Sequence, residues 1–312
     1  MNRGCLVYPT RVLLILHRVS VKCFLMLPAL LSDSLRRATS GAKWALLLTL
    51  VNLGLSVLAL LPVILWLNAV NSASLFAERL LKDTLDIEWL FVALRIGKSA
   101  FPIRLAITSG LALLIGYLII TFLSGGIIAT FAPREAPRAF WADCRRYVLP
   151  LLAAGLLTGL LLAIAGGVLV LSWGPLYSLV TENQTTPWRA DLMQWLGLGT
   201  GLAMFWSIHL VMDYLKLALV VHAPQRSWKG RLRAWWGLFV HRPGTTIGLY
   251  LATTLLWLLV IGSLLWLMGQ VTPVTWFSAA LLVLLSQMLV FARHWVRLVF
   301  IAGGCRLLET VP

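Results

Sequence analysis

The amino-acid sequence predicts an all-α fold: a polytopic transmembrane helical bundle of six spans, with both termini cytoplasmic. Three observations carry that expectation. Six apolar stretches run at about 44–68, 103–131, 147–172, 195–222, 245–269 and 275–303, each longer than the roughly 20 helical residues that cross a hydrocarbon core of about 30 Å. None alternates with period two, and only helices or closed barrels satisfy their backbone hydrogen bonds in lipid, so these stretches read as helices. Composition agrees: of 312 residues, 60% are hydrophobic and 12% charged, and the mean hydropathy is +0.89.

The N-terminal segment 1–43 precedes the first span. The apolar stretch at 12–16 is broken by His17 and Arg18, too short for a signal peptide or a span. Residues 1–25 therefore read either as an amphipathic interfacial segment or as an extension upstream of a natural start at Met26. From Met26 the text predicts a short cytoplasmic helix capped by Ser32 or Asp33. The transmembrane domain then occupies 44–303, and 304–312 form a short cytoplasmic tail. Segment 69–102, the longest polar one, is too short for its own core. Its leucines (75, 80, 81, 85 and 90) fall near helical spacing, predicting one or two amphipathic helices on the outer surface.

Placement of charge sets the orientation. The net charge of +15 would suggest nucleic acid in a soluble protein, but here it alternates with the spans. Seven Lys/Arg face one acid, Asp33, up to Lys43; Arg134, Arg138, Arg145 and Arg146 lie in 132–146. Arg226, Lys229, Arg231, Arg233 and Arg242 lie in 223–244 with no acid. The intervening segments carry Arg189 alone, no base at all, or four bases balanced by four acids. The basic segments are placed in the cytoplasm, and nucleic acid is excluded as the partner. Tryptophans agree: Trp44, Trp141, Trp228, Trp235 and Trp236 stand near inner boundaries, and Trp66, Trp173, Trp195, Trp266 and Trp276 near outer ones. Cys5, Cys23, Cys144 and Cys305 all fall on the cytoplasmic side, with no metal-ligand spacing. Asn183-Gln184-Thr185 matches a glycosylation sequon, a pattern short enough to arise by coincidence.

Two positions 91 residues apart echo each other. A span ending in Ala132-Pro133 is followed by Phe140, Trp141, Arg145 and Arg146; another ending in Ala223-Pro224 is followed by Arg231, Arg233, Trp235 and Trp236. Duplication and a shared interfacial requirement both explain it.

Ionisable groups within spans are costly and therefore informative. The fourth span holds His209, Asp213 and Lys216; the sixth holds Arg293, His294 and Arg297. Asp213 and Arg293 each lie 18 residues past the start of their stretch, so an ion pair of Asp213 with Arg293 or Arg297 is expected. Such a pair either clips two helices together or forms a gate or proton-coupled site. Deeper polar groups are few: Asn52, Thr158, Ser207, Thr253, Thr254, Ser286 and Gln287. Gly125-Gly126, Gly166-Gly167 and Gly197-x-Gly199-x-Gly201 are the candidate helix breaks, and Gly155-x-x-x-Gly159 is a close-packing motif. The segment Arg226–Arg242 predicts an interfacial helix. Arg226, Trp228, Lys229, Arg233, Trp235 and Trp236 are its expected contacts to anionic lipid headgroups, with a specific partner as the other reading.

The stretch Asp213–Val221 with Arg242-Pro243, and the stretch Gln287 to Ala302 with Arg293 and Arg297, resemble uncharacterised bacterial six-helix integral membrane proteins. These are loosely similar to the membrane region fused to some glycerophosphodiester phosphodiesterases. The catalytic domain of those enzymes has no counterpart here, so their activity is not carried over, and the resemblance implies a membrane module of unknown role. The sequence thus predicts a non-enzymatic component or assembly partner in a bacterial inner (cytoplasmic) membrane. No cofactor is expected, and the expected partners are lipids with a membrane protein or a second copy. Small-solute or lipid transport through the fourth and sixth spans is the alternative; an intramembrane enzyme would need paired carboxylates or a His-Glu-x-x-His run, and neither is present.

Overall fold

The computed structural model describes residues 26–72, 100–132, 139–181, 187–222, 227–272 and 275–310. Eight helices run through them, and no strand occurs among the described residues. They are α1 (26–40), α2 (Ala42–Ser72), α3 (Ala100–Phe131), α4 (Phe140–Thr181), α5 (Pro187–Val221), α6 (Trp228–His241), α7 (Pro243–Gly269) and α8 (Trp276–Glu309). Six of these, α2, α3, α4, α5, α7 and α8, are long and apolar enough to cross a membrane. The chain is therefore an all-α, multi-pass membrane protein. Residues 1–25, the middle of segment 69–102, the sequon and Arg226 lie outside the described residues.

The helices fall into two compact units. One comprises α1, α3 from Thr121, α4 to α7, and α8 from Trp295; the other comprises α2 from Lys43, α3 up to Ile120, and α8 up to His294. In the second unit α3 approaches α2 closely at Gly116, where an added Cβ would lie 3.1 Å from Leu55 Cδ1. Lys43 Nζ stands 5.1 Å from the centre of the Trp44 ring.

In the first unit α4 packs along α5, α5 against α6, and α6 against α7. Burial is confined to the end that carries the basic residues. On α4 the buried residues are Asp143 and then Cys144, Tyr147, Leu151, Ala154 and Thr158, the last five spaced three and four apart along one stripe, and from Gly159 to Ser178 none is buried. On α5 burial begins at Leu210 and on α7 it ends at Thr253. Leu298 to Cys305 of α8 are buried throughout. The other halves present bare leucines, Leu171 being 77% exposed. Lipid tails solvate leucine as well as another leucine does, so apolar burial is driven only where helices meet water. A core restricted to the basic end is the pattern that follows.

Local sequence accounts for the details. Residues 26–40 are helical throughout, so Ser32 and Asp33 stand inside α1 and do not cap it. Ser32 Oγ donates to the Ala29 carbonyl at 2.9 Å, while Asp33 pairs with Arg37 at 3.1 Å and with Arg306 at the end of α8. Gly303 admits α1 and α7 together: an added Cβ would lie 2.7 Å from Ser34 Oγ and 2.9 Å from Leu249 Cδ2. The two echoing segments also differ. Phe140, Trp141, Arg145 and Arg146 belong to the span helix α4 itself, whereas Arg231 to Trp236 lie in a separate helix. Ser227 caps that helix, accepting from the Gly230 N–H, and Arg242 ends it at φ −139°, ψ 48°. Pro243 then opens α7, where a missing N–H costs nothing.

Candidate functional site

Beyond Arg189 and Asp191 in its first turns, the ionisable residues of α5 recur at helical spacing, His209, Asp213 and Lys216, and so share one face. The Asp213 carboxylate accepts from Lys216 Nζ at 2.9 Å, with the side chains 27% and 20% exposed. The sequence led to Arg293 or Arg297 as partner; a nearer cation, three residues along the same helix, makes the ion pair in the structure. Arg297 is exposed on α8 and stands within electrostatic reach of His209 and Tyr250, as Asp213 does. Arg297 forms no ion pair among the described residues. Arg293 belongs to the other unit and is exposed, and His294 is buried.

An aromatic chain runs beside this cluster. Trp206 meets Tyr250 at 5.1 Å, Tyr250 meets Phe300 at 5.3 Å, and Phe300 meets Tyr214 at 5.2 Å, all edge-on. Tyr214 continues to Phe239 at 6.0 Å, and Phe239 to Trp235 at 6.0 Å. Each such pair contributes about 0.5–1.5 kcal/mol beyond its area, and together they tie α5, α6, α7 and α8. Tyr214 is fully buried, and its hydroxyl donates to the Thr246 carbonyl at 2.8 Å. His209 is held by its ring contact with Phe205 at 4.3 Å.

The interfacial helix α6 divides its residues more finely than its sequence did. Trp228, Lys229, Arg233 and Trp236 are exposed. Trp235 turns inwards instead: its indole N–H donates to the Val211 carbonyl at 3.0 Å, and its ring packs against Ala154, Met212, Leu215 and Leu219. The sequence set Trp235 among the inner-boundary tryptophans; in the structure it packs inwards, next to the side of α6 that Ala234, Gly237 and Leu238 bury.

Sequence reasoning missed Tyr250, whose hydroxyl makes no hydrogen bond among the described residues and lies in reach of Asp213 and Arg297. Its signal was available: a tyrosine well inside an apolar stretch needs a polar partner or a polar surface. Among the described residues no three His, Cys, Asp or Glu side chains gather as metal ligands would. The geometry thus defines a multi-pass helical membrane protein with a cationic, aromatic-lined cluster near its basic end. No protein-family model, curated protein or solved structure matches the chain.

Proposed function

We propose that the chain is a non-enzymatic component of a bacterial inner-membrane assembly, its basic end in the cytoplasm, and that α4 is the helix that meets a partner. The glycine face of α4 carries this reading. At Gly159, Gly166, Gly167 and Gly174 an added Cβ would meet nothing within 4 Å. With Ala163 these residues line a face of α4 turned away from its buried stripe, Gly167 and Gly174 most fully, at about 3.6 residues per turn. Glycine in a helix interior is about 1 kcal/mol worse than alanine, and in membranes such faces serve close approach by another helix.

Helix continuity favours assembly over transport. α3 runs unbroken through Gly125-Gly126, α4 through Gly166-Gly167, and α5 through Gly197, Gly199 and Gly201. The deeper hydroxyls of Thr158, Ser207, Thr253 and Thr254 donate to carbonyls one turn back in their own helices. They are committed to the fold rather than turned to a substrate, whereas transporter sites are commonly built on broken helices.

The test is extraction of the full chain from its native membrane in polymer-bounded lipid discs, with particle mass and protein composition measured. A second copy or a stoichiometric membrane protein is expected in the particle. A single copy with lipid alone would contradict the assembly reading.

A further inference from the structure

We infer that Lys216, Arg297 and Tyr250 form a binding site for a phosphate-bearing anion, the headgroup of a net-negative phospholipid or a free phosphate. Charge comes first. Lys216 and Asp213 neutralise each other at 2.9 Å, and Arg297, one turn before the Phe300 ring that meets Tyr250 at 5.3 Å, is left without an ion pair among the described residues. A cation at the edge of the hydrocarbon needs an anion or water, and the guanidinium fork matches phosphate oxygens. The Tyr250 hydroxyl adds an uncommitted donor, and His209 a ring N–H.

Depth points the same way. Lys216 lies 21 residues beyond Trp195, and Arg297 lies 21 residues beyond Trp276. At 1.5 Å per residue each is about 31 Å along its helix, one hydrocarbon thickness from the outer tryptophans. Both cations therefore reach the plane of the inner phosphates, with Trp206, ten residues back along α5, on their hydrocarbon side. The site is separate from the exposed basic face of α6, which offers lysine and arginine to the membrane surface without a carboxylate or a phenol beside them.

The test uses the full chain in a neutral maltoside detergent at fixed ionic strength. Its unfolding midpoint is followed against dioctanoyl phosphatidylglycerol, dioctanoyl phosphatidylcholine and inorganic phosphate. Phosphatidylglycerol should raise the midpoint saturably, and Arg297→Gln and Lys216→Gln should each weaken its apparent affinity roughly tenfold or more. Arg145→Gln, which removes the same charge from an exposed position on α4, should leave it unchanged. A matching saturable shift with inorganic phosphate would identify a soluble anion as the ligand; its absence would identify the lipid. Equal shifts from phosphatidylcholine, no shift from either anion, or equal weakening by Arg145→Gln would overturn the inference. If Arg297→Gln does not fold, Tyr250→Phe decides: a several-fold loss is expected, and unchanged affinity refutes the site.

Discussion

Tyr214 is the residue whose replacement reports most on the packed end. It is fully buried, donates to the Thr246 carbonyl at 2.8 Å, and meets the rings of Phe239 and Phe300 edge-on. Tyr214→Phe removes only the hydrogen bond, and a buried bond lost with its acceptor left in place costs about 1–2 kcal/mol. Tyr214→Leu also removes two aromatic pairs, each about 0.5–1.5 kcal/mol, and leaves a cavity, bringing the total to about 3–5 kcal/mol. Trp195→Leu is the comparison: Trp195 is 70% exposed, and replacement there should change stability by less than about 0.5 kcal/mol. Unfolding of the three variants by sodium dodecyl sulfate in mixed micelles gives the free-energy differences. The reasoning fails if Trp195→Leu costs as much as Tyr214→Leu, or if Tyr214→Phe is as damaging as Tyr214→Leu. Either result would mean that stability is not concentrated at the basic end.

Three further outcomes follow from named contacts. An added Cβ at Gly126 would collide with Cys144 Sγ and lie 2.6 Å from Phe140 Cε2, whereas one at Gly262 meets nothing within 4 Å. Gly126→Ala should therefore cost about 1–3 kcal/mol in the same unfolding assay, and Gly262→Ala should be neutral or gain up to about 1 kcal/mol. Asp213→Asn should cost about 1–2 kcal/mol, between the values for exposed and buried pairs, and adding Lys216→Met should recover part of it; strictly additive losses in a double-mutant cycle would show that the pair carries no coupling. For topology, an impermeant thiol reagent applied to intact cells should label single cysteines at Thr185 and Gln270 and spare one at Arg231. Labelling at Arg231 alone would invert the orientation.

The six spans were legible because length and apolarity suffice to define a membrane helix, and each observed helix contains or nearly contains the stretch that predicted it. Cap and partner assignments were less legible, since they depend on three-dimensional neighbours. Ser32 and Asp33 have capping chemistry, yet α1 already runs through them and Asp33 is instead engaged by Arg37 and Arg306, the latter far along the chain. Trp235 and Trp236 are adjacent in sequence, and the cluster on α4 and α5 together with the Val211 carbonyl separates the inward indole from the exposed one. For Asp213 the sequence sought a cation on another helix, whereas the structure pairs it with Lys216, one turn along its own helix. Tyr250 carried no charge and was passed over, although its depth in an apolar stretch was the clue.

The assembly role rests on what covers the glycine face of α4 in the native membrane. A photoreactive amino acid placed at Ala163, on that face, and separately at Val168, exposed on the far side, reads this directly. Irradiation of intact membranes should convert the Ala163 variant into a discrete protein adduct of higher mass and leave the Val168 variant unlinked. No protein adduct at Ala163, or the same adducts from both positions, would contradict the account.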